Sequence, residues 1–178
     1  MNADSEPVAE IPFEGVTFDF EAIFRAEYSR IAKVIARVVR DPARAEELAA
    51  EVFWKLSRTP KAQGPNSSGW LYRTATRLGL DELRKQSRRE KYERLFGFPR
   101  PARTPEDLHF ENEEHRRVRS VLGRMKTIHA ELLVLRSDGF TYEEIAKALE
   151  LNPASVGTLL NRAEEAFRKG YVRRYGQY

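Results

Sequence analysis

From Phe20 onward, apolar residues recur every three or four positions, the spacing that lines one side of an α-helix. Phe20, Ile23, Phe24, Tyr28, Ile31, Ile35 and Val38 form a first such stripe behind a candidate Asp19 cap. Asp41-Pro42 closes that segment and opens the next, with Asp placed to cap and Pro at the first helical position, where its missing N–H costs nothing. The second segment predicts a buried face of Ala45, Leu48, Ala49, Val52, Phe53 and Leu56. TPKAQGPNSSG over 59–69 is a loop by composition, and Ser67 or Ser68 stands where it could cap the following helix. Residues 96–112 carry three prolines with irregular polarity and read as a flexible linker; helices are predicted over 113–125 and 127–137. Further on, Thr141 and Glu144 have the spacing of a capping box, and Ile145, Ala146 and Leu149 face inward. Asn152-Pro153 restarts a helix whose buried side is Val156, Leu160, Ala163 and Phe167, which completes a helix-turn-helix pattern. The expected architecture is all-α: a leader over 1–18, a helical domain over 19–95, the linker, and a second helical domain over 113–178.

The segment WLYRTATRLGLDELRKQSRR (70–89) separates into two faces when wrapped as a helix. Trp70, Arg73, Arg77, Arg84 and Arg88 fall along one narrow stripe, while Leu71, Ala75, Leu78 and Leu83 gather on the other side. Twenty helical residues extend roughly 30 Å, enough for the cations to follow several phosphates of one strand, with an indole available for stacking. An ordinary solvated, arginine-rich surface is the competing reading of the stripe taken alone. On the preceding helix, Glu47, Glu51 and Trp54 share the face opposite the core, with Glu46 nearby. A large ring among carboxylates is a common form of partner-binding hot spot; the alternative is a Trp54 tucked under the next loop.

Charge sharpens this picture, because the net +4 is unevenly spread. Residues 1–19 hold five acids and no base, whereas 20–95 hold seventeen bases against ten acids. A positive field of this kind speeds encounter with polyanions. Cysteine is absent, which excludes disulfides and thiolate zinc sites. No apolar run approaches membrane-spanning length and the acidic N-terminus lacks a signal-peptide pattern, so the cytoplasm is the expected compartment. His109, His115 and His129 lack metal-ligand spacing, and neither a nucleophile elbow nor an HExxH run occurs. Gly64 and Gly69 have phosphate-loop spacing, but Trp70 and Leu71 stand where Lys and Ser or Thr belong. The expectation is therefore no enzyme, no catalytic residue, no metal and no cofactor.

Three stretches in this order, AEELAAEVFWKL (45–56), the helix 70–89 and LRSDGFTYEEIAKALELNPASVGTLLNRA (135–163), resemble the extracytoplasmic-function sigma factors of bacterial RNA polymerase. The resemblance covers the chain from Phe20 to about Lys169. It implies a first domain like sigma region 2, in which Glu46, Glu47, Glu51 and Trp54 contact the core polymerase. It implies that Trp70, Tyr72, Arg73, Arg77, Arg84, Lys85, Arg88 and Arg89 bind the −10 promoter element and hold its separated strand. The second domain resembles sigma region 4, whose recognition helix would read the −35 element through Asn152, Ala154, Ser155, Thr158, Asn161 and Arg162. An anti-sigma factor is a further partner the resemblance implies, and membrane insertion is not expected.

The chain departs from the family pattern at identifiable positions. Where the family often has V-K-S-R in the recognition helix, this chain has Val156, Gly157, Thr158 and Leu159. Glu150 occupies a turn position that is commonly Gly, Arg77 replaces a common Asn, and Ala50 replaces a common Gln. Two other functions remain compatible with the pattern: a sigma-like decoy or adaptor that no longer initiates, and a stand-alone helix-turn-helix regulator.

Overall fold

The computed structural model describes residues 18–96 and 113–176, and all regular structure among them is helical. The N-terminal half contains α1 (Phe20–Val39), α2 (Pro42–Ser57), a single 3-10 turn (Pro60–Ala62) and the long α3 (Ser67–Phe96). The C-terminal half contains α4 (Glu113–Leu122), α5 (Thr127–Ser137), α6 (Tyr142–Leu149) and α7 (Pro153–Tyr175). The acidic leader, but for Phe18, and nearly all of the linker lie outside the described residues.

Local chemistry sets the helix ends. The Asp19 carboxylate accepts from Ala22 N–H at 2.9 Å, and Asp41 accepts from Arg44 N–H at the same distance ahead of Pro42. Each satisfies one of the donors that a helix start leaves unpaired. Thr141 and Glu144 form the reciprocal capping box, and Asn152 Oδ1 accepts from Ala154 N–H to start α7. Ser67 and Ser68 depart from expectation. Both lie inside α3, and the Ser68 hydroxyl donates to Glu27 rather than capping.

The six predicted α2 residues Ala45, Leu48, Ala49, Val52, Phe53 and Leu56 are all buried. They pack with Ile31, Val34, Ile35 and Val38 of α1 and with Leu71, Ala75, Leu80 and Leu83 of α3. In the second half, Leu132 and Leu135 of α5, Ile145 and Leu149 of α6, and Val156 and Leu160 of α7 close the helix-turn-helix. Each fully buried aliphatic side chain contributes about 1.5–3 kcal/mol. The two sets form one continuous apolar cluster, so the halves lie against each other with α3 as the shared wall. No described helix is long and apolar enough to cross a membrane.

Candidate nucleic-acid and polymerase interfaces

Helix α3 starts where the loop turns back on itself, with Ser67 N–H donating to Gly64 O and Trp70 N–H to Asn66 O. Its first two turns are less open than the sequence suggests. Trp70 is half-buried and packed on the apolar cluster. Tyr72 is buried: its hydroxyl donates to Glu27 at 2.8 Å and its ring meets Phe140 edge-on at 4.6 Å. Burial and the adjacent Glu27 carboxylate push the Tyr72 phenol well above its ordinary pKa. Tyr72 is therefore an interior group and not part of an exposed DNA surface, and the Trp70 ring does not stand free for stacking.

Three stripe arginines are also committed. Arg73 pairs with Glu150 at 2.6 Å and Arg77 Nε with Glu131 at 2.6 Å. Arg84 donates to the carbonyls of Gly123 and Met125 at 3.2 and 3.4 Å and to Thr127 Oγ1 at 3.2 Å, besides pairing with Asp81 on its own helix. All three reach into the C-terminal half, so this side of α3 is an inter-domain surface. Arg37 pairs with Asp138 in the same interface, and Asn66 Nδ2 donates to Lys147 O at 3.1 Å. Gly69 permits the close approach: a Cβ there would stand 3.1 Å from Lys147 O and 3.2 Å from Ala148 Cα. Lys85, Arg88 and Arg89 remain exposed.

Two acids of this interface are unusual in themselves. Glu131 is 1% exposed, and a carboxylate removed from water persists only when paired. Glu150 sits at a left-handed φ of 57°, which favours glycine, and the Arg73 guanidinium holds its carboxyl below the usual carboxylate range. The acid that stands at this commonly glycine position is thus committed to an internal ion pair. Burial raises the pKa of Asp138, with Arg37 opposing the shift.

On α2, the Trp54 ring is 58% exposed, with the Arg58 guanidinium 5.1 Å above it. Glu51 pairs with Lys55 at 3.2 Å, Glu47 with Arg44 at 2.5 Å, and Glu46 accepts from Tyr28 at 2.9 Å. This face carries an open indole within a local charge network. On α7, Asn152, Ala154, Thr158, Asn161 and Arg162 are exposed together, while Ser155 is half-buried and donates to Asn152 O at 2.7 Å. His115 meets Arg40 at 3.0 Å, His109 lies outside the described residues, and no group of three or more His, Asp or Glu that could hold a metal occurs among the described residues.

Comparison with known proteins places both halves. The family model described as Sigma-70 region 2 matches residues 23–89, and that described as Sigma-70, region 4 matches residues 115–167. The chain belongs to the sigma-70 family, in its extracytoplasmic-function group. It is 27% identical over 158 residues to the ECF RNA polymerase sigma factor SigK of Mycolicibacterium vanbaalenii, covering 84% of this chain and 80% of that protein. It is 26% identical over 160 residues to the RNA polymerase sigma factor CarQ of Myxococcus xanthus, covering 88% and 91%. In fold it is similar to the sigma factor RpoE of Bartonella quintana, solved with the anti-sigma factor NepR, at a TM-score of 0.50 and 16% identity over 85% of this chain and 96% of that one. The Arg-striped helix thus begins in region 2, and its partner acids Glu131 and Glu150 belong to region 4. Sequence reasoning missed those two acids as interface residues. Glu131 interrupts the apolar run Ala130–Leu135, and that was its available signal.

Proposed function

We propose that this chain is a dissociable specificity subunit of bacterial RNA polymerase that recognises promoters and starts transcription. The observation that carries the reading is the presence of sigma regions 2 and 4 in order on one helical chain. Core polymerase docks on the α2 face through Glu46, Glu47, Glu51 and Trp54, which gives an exposed indole a purpose. The −10 strand is held by Arg73, Arg77, Arg84, Lys85, Arg88 and Arg89 of α3. The −35 element meets α7 through Asn152, Ala154, Ser155, Thr158, Asn161 and Arg162. The protein works in the cytoplasm without a reaction of its own, nucleotide addition belonging to the polymerase, and an anti-sigma factor is the expected regulator.

The inter-domain contacts add a requirement. Glu150, Glu131 and the carbonyls of Gly123 and Met125 stand beside Arg73, Arg77 and Arg84 where strand phosphates would stand. Loading promoter DNA on these arginines therefore requires region 4 to move away from α3.

Run-off transcription with purified core polymerase on the chain's own candidate promoters tests the reading. Transcripts that depend on the added chain are expected. Tight duplex binding without polymerase dependence would make it a stand-alone regulator, and polymerase binding without transcripts would make it a decoy.

A further inference from the structure

The last three turns of α3 carry a surface that the roles above do not use fully. At 100° per residue, Lys85, Arg88, Arg89, Tyr92 and Phe96 fall within an arc of about 100°, and the run from Lys85 to Phe96 extends roughly 16 Å. Tyr92 is 62% and Phe96 67% exposed. Their rings lie parallel to within 5°, with centroids 6.1 Å apart. The two acids of this stretch, Glu90 and Glu93, fall outside the arc, and Glu93 reaches back to Arg89 at 3.0 Å. Lys85 and Arg88 have no carboxylate partner among the described residues. Leu83 and Gln86, which meet region 4, lie more than about 100° from the centre of this arc, and Arg84, whose side chain turns to the Gly123 carbonyl, lies just outside its edge, about 40° from Arg88. This face is therefore open while the two regions are packed together.

Aromatic rings exposed in water usually mark a partner, and the chemistry beside them says which kind. An apolar protein groove would take the rings but would have to bury the flanking cations without counter-charges. A single nucleic-acid strand satisfies both: its bases stack on ring faces and its phosphates meet Lys85, Arg88 and Arg89. Duplex DNA offers the phosphates while keeping its base faces stacked inside. The match to sigma region 2 ends at residue 89, so Tyr92 and Phe96 lie beyond it.

Resting on the reading of α3 as a DNA-facing helix, we infer that Tyr92 and Phe96 form a stacking platform that carries an unpaired strand past the end of region 2. The strand is gripped by Lys85, Arg88 and Arg89 and read by shape more than by sequence. Because this face is open in the packed state, it binds single strands before region 4 moves.

The test uses the full chain and a fluorescein-labelled oligo-dT 12-mer in anisotropy titrations, beside a labelled duplex of the same length. Tyr92→Ala/Phe96→Ala should weaken oligo-dT binding about tenfold, the loss of roughly one base stack, with duplex affinity unchanged. Tyr92→Phe should bind as the unaltered chain does, since stacking uses the ring and not the hydroxyl. Both rings are exposed, so circular dichroism and Tm should not move. Lys85→Ala/Arg88→Ala should flatten the salt dependence on oligo-dT by roughly 1.4 in slope, two phosphates at about 0.7 each. Unchanged oligo-dT affinity in the double alanine variant, or equal loss on duplex, overturns the platform. Loss of core-polymerase affinity in its place would make the rings a protein contact and likewise overturn it. Run-off transcription by the unaltered chain separates the two claims: transcripts with unchanged oligo-dT binding sink the platform alone, whereas no transcripts sink the sigma reading.

Discussion

Replacing Arg77 with Met strands the Glu131 carboxylate, which is 1% exposed and held by the guanidinium at 2.6 Å. A hydrogen bond to a charged group is worth about 1.5–3 kcal/mol, and stripping one partner from a fully buried pair costs about 3–5 kcal/mol. Arg77 itself is 54% exposed, so solvent screens the pair from one side and the lower figure applies, about 2 kcal/mol. The stranded charge can escape by parting region 4 from α3, which returns Glu131 to water. Arg77→Met should therefore shift the packed-to-open equilibrium by about 30-fold, since each 1.4 kcal/mol is a factor of ten. Hydrogen exchange along α5 and the radius of gyration from X-ray scattering both read that shift. Arg77→Met/Glu131→Leu removes the stranded charge as well, and an apolar replacement for a buried pair is commonly neutral or better, so packing should return. Identical α5 protection and radius of gyration in Arg77→Met would refute the reasoning. A double variant as open as the single one would show that the buried charge is not the cause.

Glu150→Gly should lower the packed population roughly two- to fivefold at low salt, the range of an exposed ion pair, while Tm stays level or rises because glycine suits the φ of 57°. The Arg73 guanidinium depresses the Glu150 pKa in the packed state, so its contribution is present above the ordinary carboxylate range and fades as pH falls through the depressed value; scattering across an acid titration should show this in the unaltered chain and not in Glu150→Gly. Gly69→Ala places a methyl closest to Asn66 Oδ1, whose side chain can swing aside, and against Lys147 O and Ala148 Cα, which cannot; it should destabilise the packed state by about 1–3 kcal/mol, seen as faster amide exchange in α6. Trp54→Ala should weaken core-polymerase binding by at least about tenfold with unchanged circular dichroism, because an exposed ring contributes little to the fold and a central aromatic anchor contributes much to an interface.

What the sequence made legible was what local physics decides. The caps at Asp19, Asp41, Thr141 and Asn152 follow from neighbours two or three residues away. The buried face of α2 follows from its 3.6-residue period. Periodicity also gave the azimuth of the arginines correctly, but an azimuth does not name the neighbour that occupies it. Arg73, Arg77 and Arg84 lie on one side of α3 as expected, and region 4 takes that side. Tyr72 is a different case: eleven residues before Leu83, it falls only about 20° from that inward side chain, so its burial was readable from the wheel. It entered the DNA-facing set through the family resemblance, against its own geometry.

The packed state and the proposed function ask opposite things of the same cations, and the energetics show how both can hold. The inter-domain contacts of Arg73, Arg77 and Arg84 are polar, so salt and competing polyanions weaken them. They need not be strong one by one, because sixteen residues connect α3 to α4, a length that keeps the two regions at an effective concentration on the order of millimolar. A free DNA strand must displace an intramolecular competitor on those terms. On the proposed function core polymerase would change the terms, since holding α2 on the polymerase while region 4 sits at the −35 element would remove the proximity on which these contacts depend. The arginines would then lose Glu131 and Glu150 together, leaving their charge available for the strand that the proposed function assigns to them. On this account the dependence of promoter loading on polymerase arises from the tether and the inter-domain contacts of Arg73, Arg77 and Arg84.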